Sequence, residues 1–78
     1  MKVQVKLFAM LRKYAPDASI HKYGLELAQG TTIRQVLEQL GVPEPEVAFV
    51  FVNSKRQKLD EPLTDGDELG IFPPIAGG

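Results

Sequence analysis

The chain has 78 residues, enough for one domain that buries roughly 60–65% of the surface its unfolded form exposes around a single modest core. Apolar residues make up 44% of it and charged residues 24%, globular values that argue against disorder, and a net charge of −1 leaves no basic footprint for nucleic acid. Cysteine is absent, which excludes a disulfide staple, a thiolate metal site and a cysteine nucleophile.

The elements follow in chain order. Val3, Val5 and Leu7 alternate with Lys2, Gln4 and Lys6, the period of a half-buried strand and unlike a signal peptide. No apolar run approaches the length of a membrane span, so a soluble cytoplasmic domain is the expectation. Met10 to Tyr14 reads as a short helical turn stopped before Pro16, and Asp17 to Lys22 as loop. Tyr23, Leu25 and Leu27 alternate again and predict a second strand ending at Gly30. The clearest helix comes next: Thr32 caps it with Gln35 as the other half of a capping box, and Ile33, Val36, Leu37 and Leu40 share one face. Gly41 stops it and Pro43 keeps it stopped. The apolar run Val47 to Val52 predicts a central strand. A turn at Asn53, a brief edge strand at Lys58-Leu59, a tight reversal over Leu63 to Asp67 and a last strand from Glu68 to Phe72 complete the order.

One substantial helix and four or five strands predict an α+β fold, a mixed sheet packed on that helix. The economical arrangement is a β-grasp roll with the first and last strands parallel in the middle. Residues 1–72 form the body, and residues 73–78 form a flexible tail that leaves from the end of a central strand, because Pro73 and Pro74 lack ladder donors.

Inside the body no side chains assemble a reaction centre. His21 is the only histidine and falls in a predicted loop. Asp60, Glu61, Asp65, Asp67 and Glu68 cluster in sequence but form no calcium-loop spacing, and the glycines make no phosphate-binding motif. The ending is different. Gly77 and Gly78 remove both Cβ atoms beside the carboxylate, so a partner can enclose the backbone in a narrow channel. Pro73 and Pro74 pre-extend a tail with a reach on the order of 18 Å. Such a carboxylate reacts only once activated, for example as an acyl adenylate.

Leu7-Phe8-Ala9-Met10-Leu11-Arg12 resembles the opening of the MoaD/ThiS family of ubiquitin-like sulfur carriers. Asp60 to Leu69 and Ile71-Phe72-Pro73-Pro74-Ile75-Ala76-Gly77-Gly78 resemble, within that family, the small subunits of molybdopterin synthase. The likeness spans essentially the whole chain, and the Phe-Pro-Pro-x-x-Gly-Gly ending is its most specific part. The resemblance implies a non-catalytic subunit that binds no cofactor itself. An adenylating enzyme of E1-like, MoeB/ThiF type would use ATP and Mg²⁺ to activate its C-terminal glycine. A cysteine desulfurase or rhodanese would supply sulfur, and the thiocarboxylate would act on a pterin precursor in a large subunit of MoaE type. On that resemblance Gly78 carries the thiocarboxylate and Gly77 gives it access.

The sheet face away from the helix should expose an apolar patch for partners. Alternation assigns Phe72 to it and puts Phe8 either near it or at the strand's exit; from the central run either Phe49 and Phe51 or Val50 and Val52 join them. Pro73, Pro74, Ile75 and Ala76 extend that contact surface into the tail. Arg12 stands where the family has an arginine that pairs with partner acids, and also reads as a plain surface arginine. The same ending fits a carrier for another product (thiamine thiazole, cysteine, thiolated tRNA or a tungsten pterin), a ubiquitin-like modifier of lysines, or an inert interaction module.

Overall fold

A computed structural model of the chain describes residues 1–17 and 19–74. Strand β1 (Lys2–Leu7) follows the alternation of its sequence, with Val3, Val5 and Leu7 buried and Lys2 and Lys6 exposed. A 3-10 turn over Ala9–Tyr14 drops Leu11 into the core and ends as Ala15 goes extended before Pro16. β2 (Tyr23–Glu26) pairs antiparallel with β1, setting Leu25 opposite Val3 and Tyr23 opposite Val5.

Helix α1 (Ile33–Leu40) has both halves of its capping box: the Gln35 amide donates to the Thr32 hydroxyl and the Thr32 amide to the Gln35 side chain. Gly41 adopts φ 80°, the left-handed geometry that closes a helix, and its amide donates to the Leu37 and Glu38 carbonyls. Ile33, Val36 and Leu37 are buried and Leu40 is half-buried against the core. A second 3-10 turn, Glu44–Glu46, leads to β3 (Phe49–Val52), then β4 (Lys55–Gln57) and β5 (Glu68–Phe72).

The five strands form one sheet in the order β2-β1-β5-β3-β4. β1 and β5 run parallel in the centre while the other pairs are antiparallel. This is the β-grasp arrangement. Val3, Val5, Leu7, Val50, Leu69 and Ile71 face α1, together with Leu11 and Leu63. Each such side chain contributes about 1.5–3 kcal/mol relative to exposure.

Three expectations are corrected. β2 ends at Glu26 and does not run on to Gly30. The edge strand lies at Lys55–Gln57 and not at Lys58-Leu59. Asn53 and Ser54 take φ 51° and 71° and reverse the chain in two residues, so the return strand starts at once. The Asn53 side chain holds that turn, donating to Asp67 Oδ1 and accepting from the Glu68 amide. β3 also begins later than the apolar run: Val47 follows the Glu44–Glu46 turn, although the Ala48 amide already donates to the Phe72 carbonyl at 2.8 Å.

Candidate functional site

β5 decides the site. Leu69 and Ile71 are almost wholly buried toward α1, so strand alternation turns Gly70 and Phe72 to the open face. Register brings the rest: Phe49 lies opposite Phe72 and Phe51 opposite Gly70 on β3. Phe8 follows β1, its amide donating to the Ile71 carbonyl at 3.1 Å. Val50 is buried and Val52 is half-buried against the core, so Phe49 and Phe51 are the pair that faces outward.

All four phenylalanines of the chain meet on this face. Phe72 is the hub, stacked on Phe8 with centroids 3.9 Å apart and on Phe49 at 5.1 Å, with Phe51 edge-on at 5.4 Å. Each ring is half-buried, and no helix among the described residues covers them. Gly70 makes the arrangement fit: a Cβ there would stand 3.3 Å from Phe8 Cε2 and 3.4 Å from Phe72 Cε1. Beside the rings runs a groove of about 330 Å³, lined by Lys6, Phe8, Phe51, Ser54, Gly70 and Phe72 among others. Lys6 Nζ lies 5.0 Å from the Phe8 ring and the Arg56 guanidinium 5.3 Å from that of Phe49.

The tail leaves beside this cluster, from the C-terminal end of the central strand β5. Pro73 is buried and Pro74 exposed, so packing of the body runs one residue past the strand. Ile75, Ala76, Gly77 and Gly78 lie outside the described residues. Arg12 is half-buried in the 3-10 turn that follows Phe8.

The titratable groups serve the frame. Asp67 Oδ2 accepts the Thr64 amide and Asp65 Oδ1 the Lys2 amide at 2.6 Å, so these two acids of the cluster build the reversal before β5. The Tyr14 hydroxyl donates to Glu46 at 2.9 Å, joining the two 3-10 turns, and that hydrogen bond raises its pKa. Burial pushes the Tyr23 phenol up as well. His21 is exposed. Among the described residues no three His, Cys, Asp or Glu side chains are grouped to hold a metal, and no helix is long and apolar enough to cross a membrane.

Sequence reasoning passed over Lys6, Arg56 and Gly70. Lys6 and Gly70 carried a signal, since each stands two residues from a face-defining phenylalanine and therefore shares its side of the sheet. Arg56 had none until the hairpin register placed it opposite Phe51.

With this geometry in place, comparison with known proteins is specific. Residues 5–78 match the ThiS family. A molybdopterin synthase sulfur carrier subunit from Chlamydomonas reinhardtii is 30% identical over the full length of both chains. The Escherichia coli (strain K12) protein of that name is 56% identical over 27 residues, 35% of this chain and 33% of its own. Among solved structures, the protein–protein complex of subunits 1 and 2 of molybdopterin-converting factor from Helicobacter pylori contains a chain 25% identical, covering all of both chains at a TM-score of 0.63. The small archaeal modifier protein 1 of Methanosarcina acetivorans is 26% identical at a TM-score of 0.70, covering 99% of this chain and 96% of that one.

Proposed function

The chain belongs to the ThiS family, and on that premise we propose that it is a sulfur carrier serving as the small subunit of a molybdopterin synthase, with Gly78 as the reactive carboxyl terminus. The observation that supports this reading is where the last strand ends. β5 is a central strand that ends at Phe72, the hub of the four-phenylalanine face, with Pro73-Pro74 directly after it. A partner that seats on the rings is thereby positioned to receive the tail. The named relatives support the pathway, and the Helicobacter pylori complex supports a large subunit as the partner.

The chemistry is supplied from outside. In an adenylating enzyme of E1-like type, with ATP and Mg²⁺, a Gly78 carboxylate oxygen attacks the α-phosphorus and pyrophosphate leaves. The terminal sulfur of a persulfide on a desulfurase or rhodanese then displaces AMP, so a C–S bond forms as the C–O bond to phosphate breaks. A second thiol, from the donor or the activating enzyme, attacks the other sulfur of that acyl disulfide, leaving as a protein disulfide and releasing the thiocarboxylate. The thiocarboxylate is the donor delivered to the pterin precursor in the large subunit. This chain contributes a rigid body, an aromatic docking face and a narrow terminus free of side chains at Gly77 and Gly78.

A second reading, conjugation of Gly78 to lysines of other proteins, is favoured by the likeness to the Methanosarcina acetivorans modifier. Incubation with the activating enzyme, ATP, Mg²⁺ and a sulfur donor separates the two. Exchange of one oxygen for sulfur at Gly78, read by intact mass, is expected. A terminus that stays unmodified overturns the carrier reading, and Gly-Gly remnants on target lysines would favour the modifier.

A further inference from the structure

We infer that Lys6 and Arg56 are the charge-recognising residues of the aromatic face, and that the protein seated there presents an apolar centre flanked by two carboxylates. The inference rests on the reading of that face as the docking surface for the large synthase subunit, and it names the chemistry the partner must carry.

The two cations stand on either side of the hub ring. Strand order places β1 with Lys6 on one side of β5 and β4 with Arg56 beyond β3 on the other. Each is seated over the ring at its own end of the row, Lys6 over Phe8 and Arg56 over Phe49. Ring contact holds an ammonium or guanidinium in place while leaving its donors open to a carboxylate, and a guanidinium fork can receive one in two hydrogen bonds.

Their seats on the rings of this face set them apart from Lys2, Lys55 and Lys58, which likewise make no ion pair among the described residues. Lys13, Lys22 and Arg34 are all paired, with Glu46, with Glu68, and with Glu44 and Asp60 respectively. Lys6 and Arg56 make no ion pair with any described residue. Of the acids on the open face, Glu68 lines the groove beside Lys6 but pairs with Lys22 Nζ at 3.5 Å and not with Lys6, and Glu26 lies on β2, at the far edge of the sheet from the β3 rings. The aromatic end of the sheet is therefore cationic on a chain whose net charge is −1. A partner covering these rings with apolar surface alone would strip water from both cations without compensation, which disfavours binding. Carboxylates at the two rim positions turn that cost into orientation and faster encounter.

Arg56 on an edge strand could instead serve only to deter strand pairing between copies. The test separates these roles by charge reversal, which keeps an edge charge. Association of the full chain with its cognate large synthase subunit is followed by stopped flow at low and high salt for wild type, Lys6→Glu, Arg56→Glu and Phe72→Ala, with Lys6→Gln in reserve should a reversal unfold. Each reversal should slow association at low salt by about tenfold or more and flatten its salt dependence, with an unchanged melting temperature. Wild-type kinetics in both reversals, with Phe72→Ala still weakened, would overturn the cationic rim and leave the docking reading standing. Wild-type binding by Phe72→Ala would remove the docking reading itself.

Discussion

Phe72→Ala tests how the protein divides its aromatic surface between folding and binding. A fully buried phenylalanine truncated to alanine costs about 3–5 kcal/mol. Phe72 is only partly buried, on a sheet face that no helix among the described residues covers, but it is the ring that Phe8, Phe49 and Phe51 all touch. Partial burial lowers the cost below that range while aromatic contacts of this kind add about 0.5–1.5 kcal/mol each beyond area burial, so the expected loss is about 2–3 kcal/mol. Small domains hold about 5–15 kcal/mol, which leaves the variant folded at room temperature. Binding should suffer in parallel, because a central aromatic anchor carries about 2 kcal/mol or more of an interface. That is about a 30-fold weaker Kd. Urea denaturation gives the first number and calorimetric titration with the large synthase subunit the second. An unfolding loss above about 4 kcal/mol would make Phe72 a core residue, and an unchanged Kd for the folded variant would refute the docking face.

Gly70→Ala should leave stability within about 1 kcal/mol of wild type, since a stiffer unfolded chain offsets the crowding of Phe8 and Phe72. It should still weaken partner binding by displacing both rings; unchanged affinity would show that the ring positions do not matter. Thr32→Ala removes one half of the capping box and should cost about 1 kcal/mol in urea denaturation, with no effect on partner affinity. Neither tyrosine should ionise at its ordinary value of 10.0, because hydrogen bonding to Glu46 raises Tyr14 and burial raises Tyr23. Their contribution to stability is therefore complete below that value and lost as pH rises through the raised folded values, which a phenolate absorbance titration alongside alkaline unfolding will follow. Deleting Gly78, or adding one residue after it, should abolish sulfur loading without moving the melting temperature, because a terminal glycine carries no side chain for a core to lose.

Much of this fold was legible because its signals were local. Thr32 and Gln35 announce α1, and Val3, Val5 and Leu7 fix the inner face of β1 without help from the rest of the chain. The outward face was harder. Phe49 to Val52 is apolar on both sides, so alternation alone left two assignments; pairing with Leu69 and Ile71 chose between them. The turn at Asn53 was expected, but its return strand was placed three residues late, because without a glycine nothing marked Asn53-Ser54 as a two-residue reversal, although both take positive φ. Its return strand, Lys55-Arg56-Gln57, is polar throughout and offers no periodicity. That hairpin also brings Arg56 to the rings, so the proposed cationic rim could not be read before the turn was known.

The central claim is that sulfur travels on the end of this chain. Full-length protein recovered from cells that make the cofactor, and analysed intact and by fragmentation, tests it most directly. The account predicts a fraction in which one oxygen of Gly78 is replaced by sulfur, and loss of that fraction when the activating enzyme is deleted. A terminus that is always an ordinary carboxylate, in cells with active synthase, would contradict it.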